Sequence, residues 1–105
     1  MKTVFLHGLG QTAHEWDAVL SRASLPDADC PELSMLTEGE LSYTGLRTGF
    51  EKRYADVKEA FRICGLSLGA VLALDYAIHH KEKVDSLILI GAQYKTPALL
   101  IDFQN

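Results

Sequence analysis

At 105 residues, 48% of them hydrophobic and 23% charged, the chain is the size of one ordinary globular domain and leaves no room for a second core. A formal net charge of −4 and a mean hydropathy of +0.04 argue against disorder, and the mild acidity argues against nucleic acid as a partner, since that selects basic surface. Two cysteines cannot build a disulfide framework: Cys64 sits in an apolar run, Cys30 among acids and prolines, and their spacing is not that of metal ligands.

In chain order, Thr3-Val4-Phe5-Leu6 is a short β-rich run stopped by Gly8, as for a strand buried on both faces. Thr12 with Glu15 reads as a capping box opening a helix from about Ala13 to Ser21, with Trp16, Val19 and Leu20 on one face. Between Leu25 and Leu41, Pro26 and Pro31 punctuate a loop, Glu32 to Leu36 is predicted as a short strand, and Gly39 separates it from the next helix. Tyr43, Leu46, Phe50, Tyr54, Val57 and Phe61 then recur at spacings of 3, 4, 4, 3 and 4, an amphipathic stripe with Arg47, Glu51, Lys52, Asp56 and Lys58 on the wet side. Phe61 to Cys64 is the third strand candidate, ended by Gly65. The helix after it, Leu68 to about His80, is apolar nearly all round and is expected to lie buried against a sheet. Val84 to Ile90 is the fourth strand, closed by Gly91.

Strands alternating with helices imply parallel βαβ units, hence an α/β class with a parallel sheet of about four strands flanked by helices. There is no internal repeat, low-complexity tract or interdomain linker, and the whole of 1–105 reads as one partial domain. The run Thr3 to Leu6 is too short for a signal peptide. The longest apolar stretch, Leu66 to Ala77, carries Ser67, Gly69 and Asp75 and is too short for a bilayer. The expectation is a soluble, cytoplasmic protein with free thiols, no membrane partner, and neither cofactor nor metal.

The residues that carry chemistry are Gly65-Leu66-Ser67-Leu68-Gly69, a G-x-S-x-G pattern with a strand before it and an apolar helix after it. In such a turn the serine backbone is strained, and the flanking glycines prevent collisions with the neighbouring strand and helix. The hydroxyl is thereby lifted clear at the strand's C-terminal end, and the N–H of Leu68 points into the same space at a positive helix terminus. A second piece, His7-Gly8-Leu9-Gly10-Gln11, directly follows the first strand, about sixty residues before the elbow. Gly8-Leu9-Gly10 is also a G-x-G, but Ala13 stands where a dinucleotide-binding turn would need its third glycine or alanine, and no Gly-Lys-Ser/Thr P-loop occurs.

The His-Gly turn together with the elbow resembles the α/β-hydrolase superfamily over the whole chain, and the small esterase- or lipase-like members in particular. The resemblance implies Ser67 as nucleophile toward a carboxylic ester or similar acyl bond in a small molecule, with the N–H groups of Leu9 and Leu68 as the oxyanion hole. It implies a supporting role for His7, which more often holds the oxyanion loop in shape than acts as a base. In that superfamily an acid and a histidine follow the serine, from loops after two further strands. The sequence stops at Asn105, so the chain is expected to be an N-terminal half, weak or inactive by itself.

Local substitutes for that acid and histidine do not present themselves. His79 and His80 stand about 18 Å along the elbow helix; Asp75 is on the same helix, turned away from the elbow. Asp85 is at the wrong end of its strand. Asp102 lies in the tail and supplies no imidazole, and His14 is expected to be solvated. By the family's strand order, Leu87 to Ile90 becomes an apolar edge inviting a second copy or another chain. The tail 91–105, the start of the family's lid region, is expected either to cover that edge or to join in the pairing, with Pro97 suited to open a helix. The alternative reading is a non-catalytic module that associates through this edge.

Overall fold

The structure, a computed structural model, describes residues 1–8, 11–22, 25, 27–37, 42–90 and 99–102, the last four by their backbone. The apolar run of β1 (Thr3–Leu6) is buried at all four positions, as a strand covered on both faces must be. It pairs in parallel with the two-residue β2 (Ala28–Asp29) on one side, Thr3 opposite Ala28. On its other side lies β3 (Phe61–Leu66), with Val4 opposite Ile63 and Leu6 opposite Gly65. β4 (Val84–Ile90) continues the parallel set, Leu66 opposite Ile90, and β5 (Leu99–Asp102) runs antiparallel to β4. The sheet order is β2-β1-β3-β4-β5. The four parallel strands therefore end at one rim, and β1 and β3, the two that precede the motifs, are neighbours there.

Strand alternation sends Val4, Leu6, Phe61, Ile63 and Leu87 to one face and Phe5, Cys64 and Leu66 to the other. The first face is covered by α2 (Leu33–Leu36), α3 (Tyr43–Arg53) and α4 (Leu68–His79). Phe50, Tyr54, Phe61 and Tyr76 stack there as an aromatic cluster with centroids 4.7 to 5.9 Å apart. The opposite face takes a 3-10 turn, Ala13–Trp16, that runs into α1 (Asp17–Arg22) and lays the Trp16 ring on Phe5 at 5.0 Å. Polar pairs fasten α3 to its neighbours. Tyr43 donates to Asp75 at 2.8 Å, and Glu51 meets His80 Nε2 at 2.8 Å. Lys83 donates to the Tyr54 and Ala55 carbonyls just past the end of α3.

Four expectations are corrected. Glu32 to Leu36 is not a strand: Leu33 and Leu36 are buried and Met35 is exposed, a period of three, and the segment is the short helix α2. The strand beside β1 is Ala28–Asp29, held by the Thr3 N–H on the Asp27 carbonyl at 2.8 Å. The stripe from Tyr43 to Phe61 is helical only as far as Arg53, and Phe61 joins the same core from β3. α4 is buried on one side only: Leu72, Ala73, Tyr76 and Ala77 face the sheet, whereas Val71 and Ile78 are 55% and 57% exposed.

The fourth correction concerns the tail beside the Leu87 to Ile90 edge, an edge expected either to be covered by that tail or to pair with another chain. The edge is occupied by β5, with Ser86 opposite Asp102 and Leu89 opposite Leu99. Where Pro97 suggested a helix, Leu99–Asp102 is this strand, because the unpaired N–H and C=O groups of β4 offer a row of partners that a helix would leave unmet. The rest of the tail, residues 91–98 and 103–105, lies outside the described residues.

Candidate active site at the end of β3

The turn from β3 into α4 is built by close approach. A Cβ on Gly65 would stand 2.6 Å from the Gly69 carbonyl carbon and 2.7 Å from the Ala70 Cα, so the first turn of α4 can cross β3 only if residue 65 has no side chain. A Cβ on Gly69 would lie 2.7 Å from the Leu6 carbonyl carbon and 2.8 Å from the His7 carbonyl oxygen, which places the helix start against the end of β1. Between them Ser67 is held at φ 56° and ψ −116°, the one non-glycine residue with positive φ among the described residues. Such a conformation costs of the order of 1–3 kcal/mol and persists only where its surroundings impose it.

The serine N–H donates to the Ile90 carbonyl at 3.0 Å, tying the turn to the end of β4, and the serine carbonyl accepts from Ala70 and Val71. Its hydroxyl makes no hydrogen bond back to the helix it precedes, unlike the capping hydroxyls of Thr12 and Ser42. Leu68 is the first residue of α4, so its N–H has no acceptor within the helix and sits at the positive end of the dipole. The strand-turn-helix context, the strained serine and the clearing glycines are thus all present at Gly65 to Gly69.

The His7-Gly8 turn abuts this serine. A Cβ on Gly8 would be 3.1 Å from the Ser67 Cβ and 3.4 Å from the Leu66 carbonyl oxygen. The Gly8 N–H donates to the Gln11 side-chain carbonyl at 2.7 Å, and the Gly8 carbonyl accepts from the Gln11 N–H at 3.2 Å. His7 is 4% exposed and both ring nitrogens are engaged. Nε2 lies 3.1 Å from the Leu33 N–H, a group that can only donate, so Nε2 carries the lone pair and the proton is on Nδ1. Nδ1 then donates to the Gly8 carbonyl at 2.8 Å. A Glu32 oxygen stands 3.4 Å from Nε2, but with that lone pair already used it is a neighbour rather than an ion-pair partner. Leu9, the other oxyanion-hole candidate, lies outside the described residues.

The remaining titratable candidates are placed elsewhere. His14 is in solvent beside Asp17, its side chain 84% exposed. His79 turns back to the Asp75 carbonyl, and His80 stacks on Tyr76 and pairs with Glu51. Asp75 is taken by Tyr43, Arg47 and His79 on the α3–α4 seam. Asp85 is at the start of β4 with Ser86 and Arg62, and the backbone of Asp102 is opposite Ser86, at the end of the sheet away from Ser67. The Cys64 thiol, two residues before the turn's leading leucine, is pushed up to about 11 by burial and stays protonated at neutral pH.

Burial tends to raise Asp29, but the Tyr54 hydroxyl at 2.6 Å and the Arg53 guanidinium outweigh it and hold the carboxyl below its ordinary range. This network ties β2 to the end of α3 and is structural. Sequence reasoning missed it and missed Glu32, whose partners are 19 and more residues away. A cavity of about 240 Å³ between α2 and α3, lined by Leu36, Ser42, Gly45, Gly49 and Lys52 among others, includes no residue of the turn. Among the described residues no cluster of His, Cys, Asp and Glu could hold a metal ion, and no helix is long and apolar enough to cross a membrane.

No family model matches the chain, and no curated protein sequence matches it. Solved structures do. A pyrethroid hydrolase is similar over 85% of this chain and 39% of its own, at 20% identity and a TM-score of 0.68. The epoxide hydrolase CorEH is similar over 84% and 34%, at 22% identity and 0.68. An extracellular alpha/beta-hydrolase from a Paenibacillus species is similar over 85% and 39%, at 15% identity and 0.67. The chain thus spans less than two-fifths of the length of these three proteins. Four parallel strands, helices on both faces and a strained serine at the strand-to-helix turn agree with these likenesses: the fold is that of the α/β-hydrolases.

Proposed function

We propose that the chain is the nucleophile-bearing part of a serine hydrolase acting on a carboxylic ester or similar acyl bond. The observation that carries the reading is the backbone of Ser67, forced to φ 56° at the rim where β1 and β3 end side by side. Ser67 Oγ attacks the acyl carbon and the alcohol departs, leaving an acyl-serine that water hydrolyses. The Leu68 N–H, at the head of α4, and the Leu9 N–H hold the oxyanion. The Leu9 N–H belongs to the same planar peptide as the Gly8 carbonyl, so the groups that fix Gly8 also serve the oxyanion. His7 has both nitrogens committed to backbone and acts by holding this loop.

His7 has both ring nitrogens on backbone groups, His79 and His80 stand at the far end of α4 from Ser67, and His14 is in solvent beside Asp17. Turnover by the 105-residue chain is therefore expected to be orders of magnitude below that of a complete triad, with the oxyanion hole leaving a residual rate. The reading is tested by incubation with p-nitrophenyl acetate and peptide mapping. Acetyl accumulating on Ser67, and absent from Ser67→Ala, supports it; acetylation scattered over lysines alone refutes it.

A second reading, a non-catalytic module that associates with a second copy or another chain, is favoured by the strand at the sheet's rim. Since β4 is already paired, the edge strands among the described residues are β2 and β5, and association along the sheet would use one of them. Solution mass decides it, a strict monomer removing the reading.

A further inference from the structure

The polar contacts around His7 form a chain that begins at Glu32. One carboxylate oxygen of Glu32 accepts the Ala13 N–H at 2.7 Å, where the 3-10 turn begins. Glu32 immediately precedes Leu33, whose N–H donates to His7 Nε2 at 3.1 Å. That donor leaves the imidazole proton on Nδ1, which donates to the Gly8 carbonyl at 2.8 Å. Gly8 in turn is packed on the Ser67 Cβ. We infer that Glu32 is a positioning residue for the site: by clamping the start of α2 to the segment after the His7-Gly8 loop, it keeps the Leu33 N–H on His7 and thereby selects the tautomer that holds the Gly8 carbonyl.

Reach rather than charge is what the contact needs. The Ala13 N–H requires an acceptor at the end of a two-carbon side chain, and a glutamine supplies one as well as a glutamate. An aspartate is one methylene short. At the N-cap of α2, where Glu32 makes no side-chain cap bond, an aspartate would turn inward to its own helix instead. The consequence for chemistry rests on the nucleophile reading proposed above; the consequence for His7 does not.

The test uses the full chain labelled with 15N, as wild type, Glu32→Gln, Glu32→Asp and Glu32→Ala, each checked for folding by circular dichroism. The wild type and Glu32→Gln are expected to show His7 as a single Nδ1–H tautomer in its nitrogen shifts. Glu32→Asp and Glu32→Ala are expected to show a mixture, and the rate of fluorophosphonate labelling at Ser67 is expected to fall roughly two- to tenfold in the same two variants, the worth of one hydrogen bond. A general loss of stability would not move the tautomer, and Glu32→Asp keeps the fold measurable if the alanine variant unfolds. An unchanged tautomer in Glu32→Asp overturns the inference. If wild-type Ser67 takes no label, the nucleophile reading fails by itself, and the tautomer series still decides the role of Glu32.

Discussion

Replacing Ser67 by glycine separates backbone strain from side-chain chemistry. At φ 56° and ψ −116° a residue with a Cβ is strained by roughly 1–3 kcal/mol, a cost glycine does not carry. Against that stands the greater freedom of glycine in the unfolded chain, roughly 0.4–1 kcal/mol. No capping bond is lost, because the Ser67 hydroxyl makes none. Alanine is the proper reference, since it deletes the hydroxyl and keeps the strain. Ser67→Gly is therefore expected to be more stable than Ser67→Ala by about 0.5–2 kcal/mol, after roughly 4–8 °C per kcal/mol a rise in Tm of several degrees. Urea unfolding of the two variants side by side, with equal m-values, reads the difference directly. A glycine variant equal to or less stable than the alanine variant would refute the claim that the turn stores strain at Ser67.

Three further outcomes follow from the packing and the charges. Gly69→Ala places a Cβ 2.7 Å from the Leu6 carbonyl carbon and is expected to cost about 1–3 kcal/mol in urea unfolding; a neutral result would mean that α4 sits further from β1 than described. Tyr54→Phe removes the 2.6 Å bond to the Asp29 carboxylate and is expected to cost about 1.5–3 kcal/mol at neutral pH. Because the folded-state pKa of Asp29 lies below its ordinary value of 3.8, its contribution is present above that value and lost as pH falls through the folded pKa; without Tyr54 the loss should begin at higher pH in an acid titration of stability. Among the thiols, iodoacetamide is expected to reach the half-buried Cys30 first and Cys64 only on unfolding, and mass spectrometry of the time course shows the order.

Much of this architecture was legible in the sequence where an apolar run met a glycine. Thr3 to Leu6, Phe61 to Gly65 and Val84 to Ile90 carry enough β-branched and large residues to declare buried strands, and they pair in parallel as their spacing requires. The turn at Ser67 was readable for a steric reason, since two glycines flanking a serine record how near α4 comes to β3 and β1. What escaped was what local pattern cannot encode. A two-residue strand has no period, and Ala28–Asp29 is defined by the Thr3 N–H on the neighbouring Asp27 carbonyl and by the bonds of Arg53 and Tyr54 to the Asp29 carboxylate. The four residues of α2 read equally well as alternation until Met35 is seen to face solvent and Leu36 the core. The stripe from Tyr43 outran its helix because Val57 and Phe61 keep the apolar spacing after the backbone has turned at Tyr54. Glu32 looked like the first residue of a short strand, and only the fold brings it to Ala13 and His7.

The central claim is that Ser67 is a nucleophile presented by a strained turn to an oxyanion hole. It is tested most directly by treating the folded chain with a fluorophosphonate probe and mapping the adduct, beside Ser67→Ala. The account expects a slow single adduct on Ser67 that vanishes in the alanine variant. A folded chain that takes no adduct at Ser67 after prolonged exposure would contradict it.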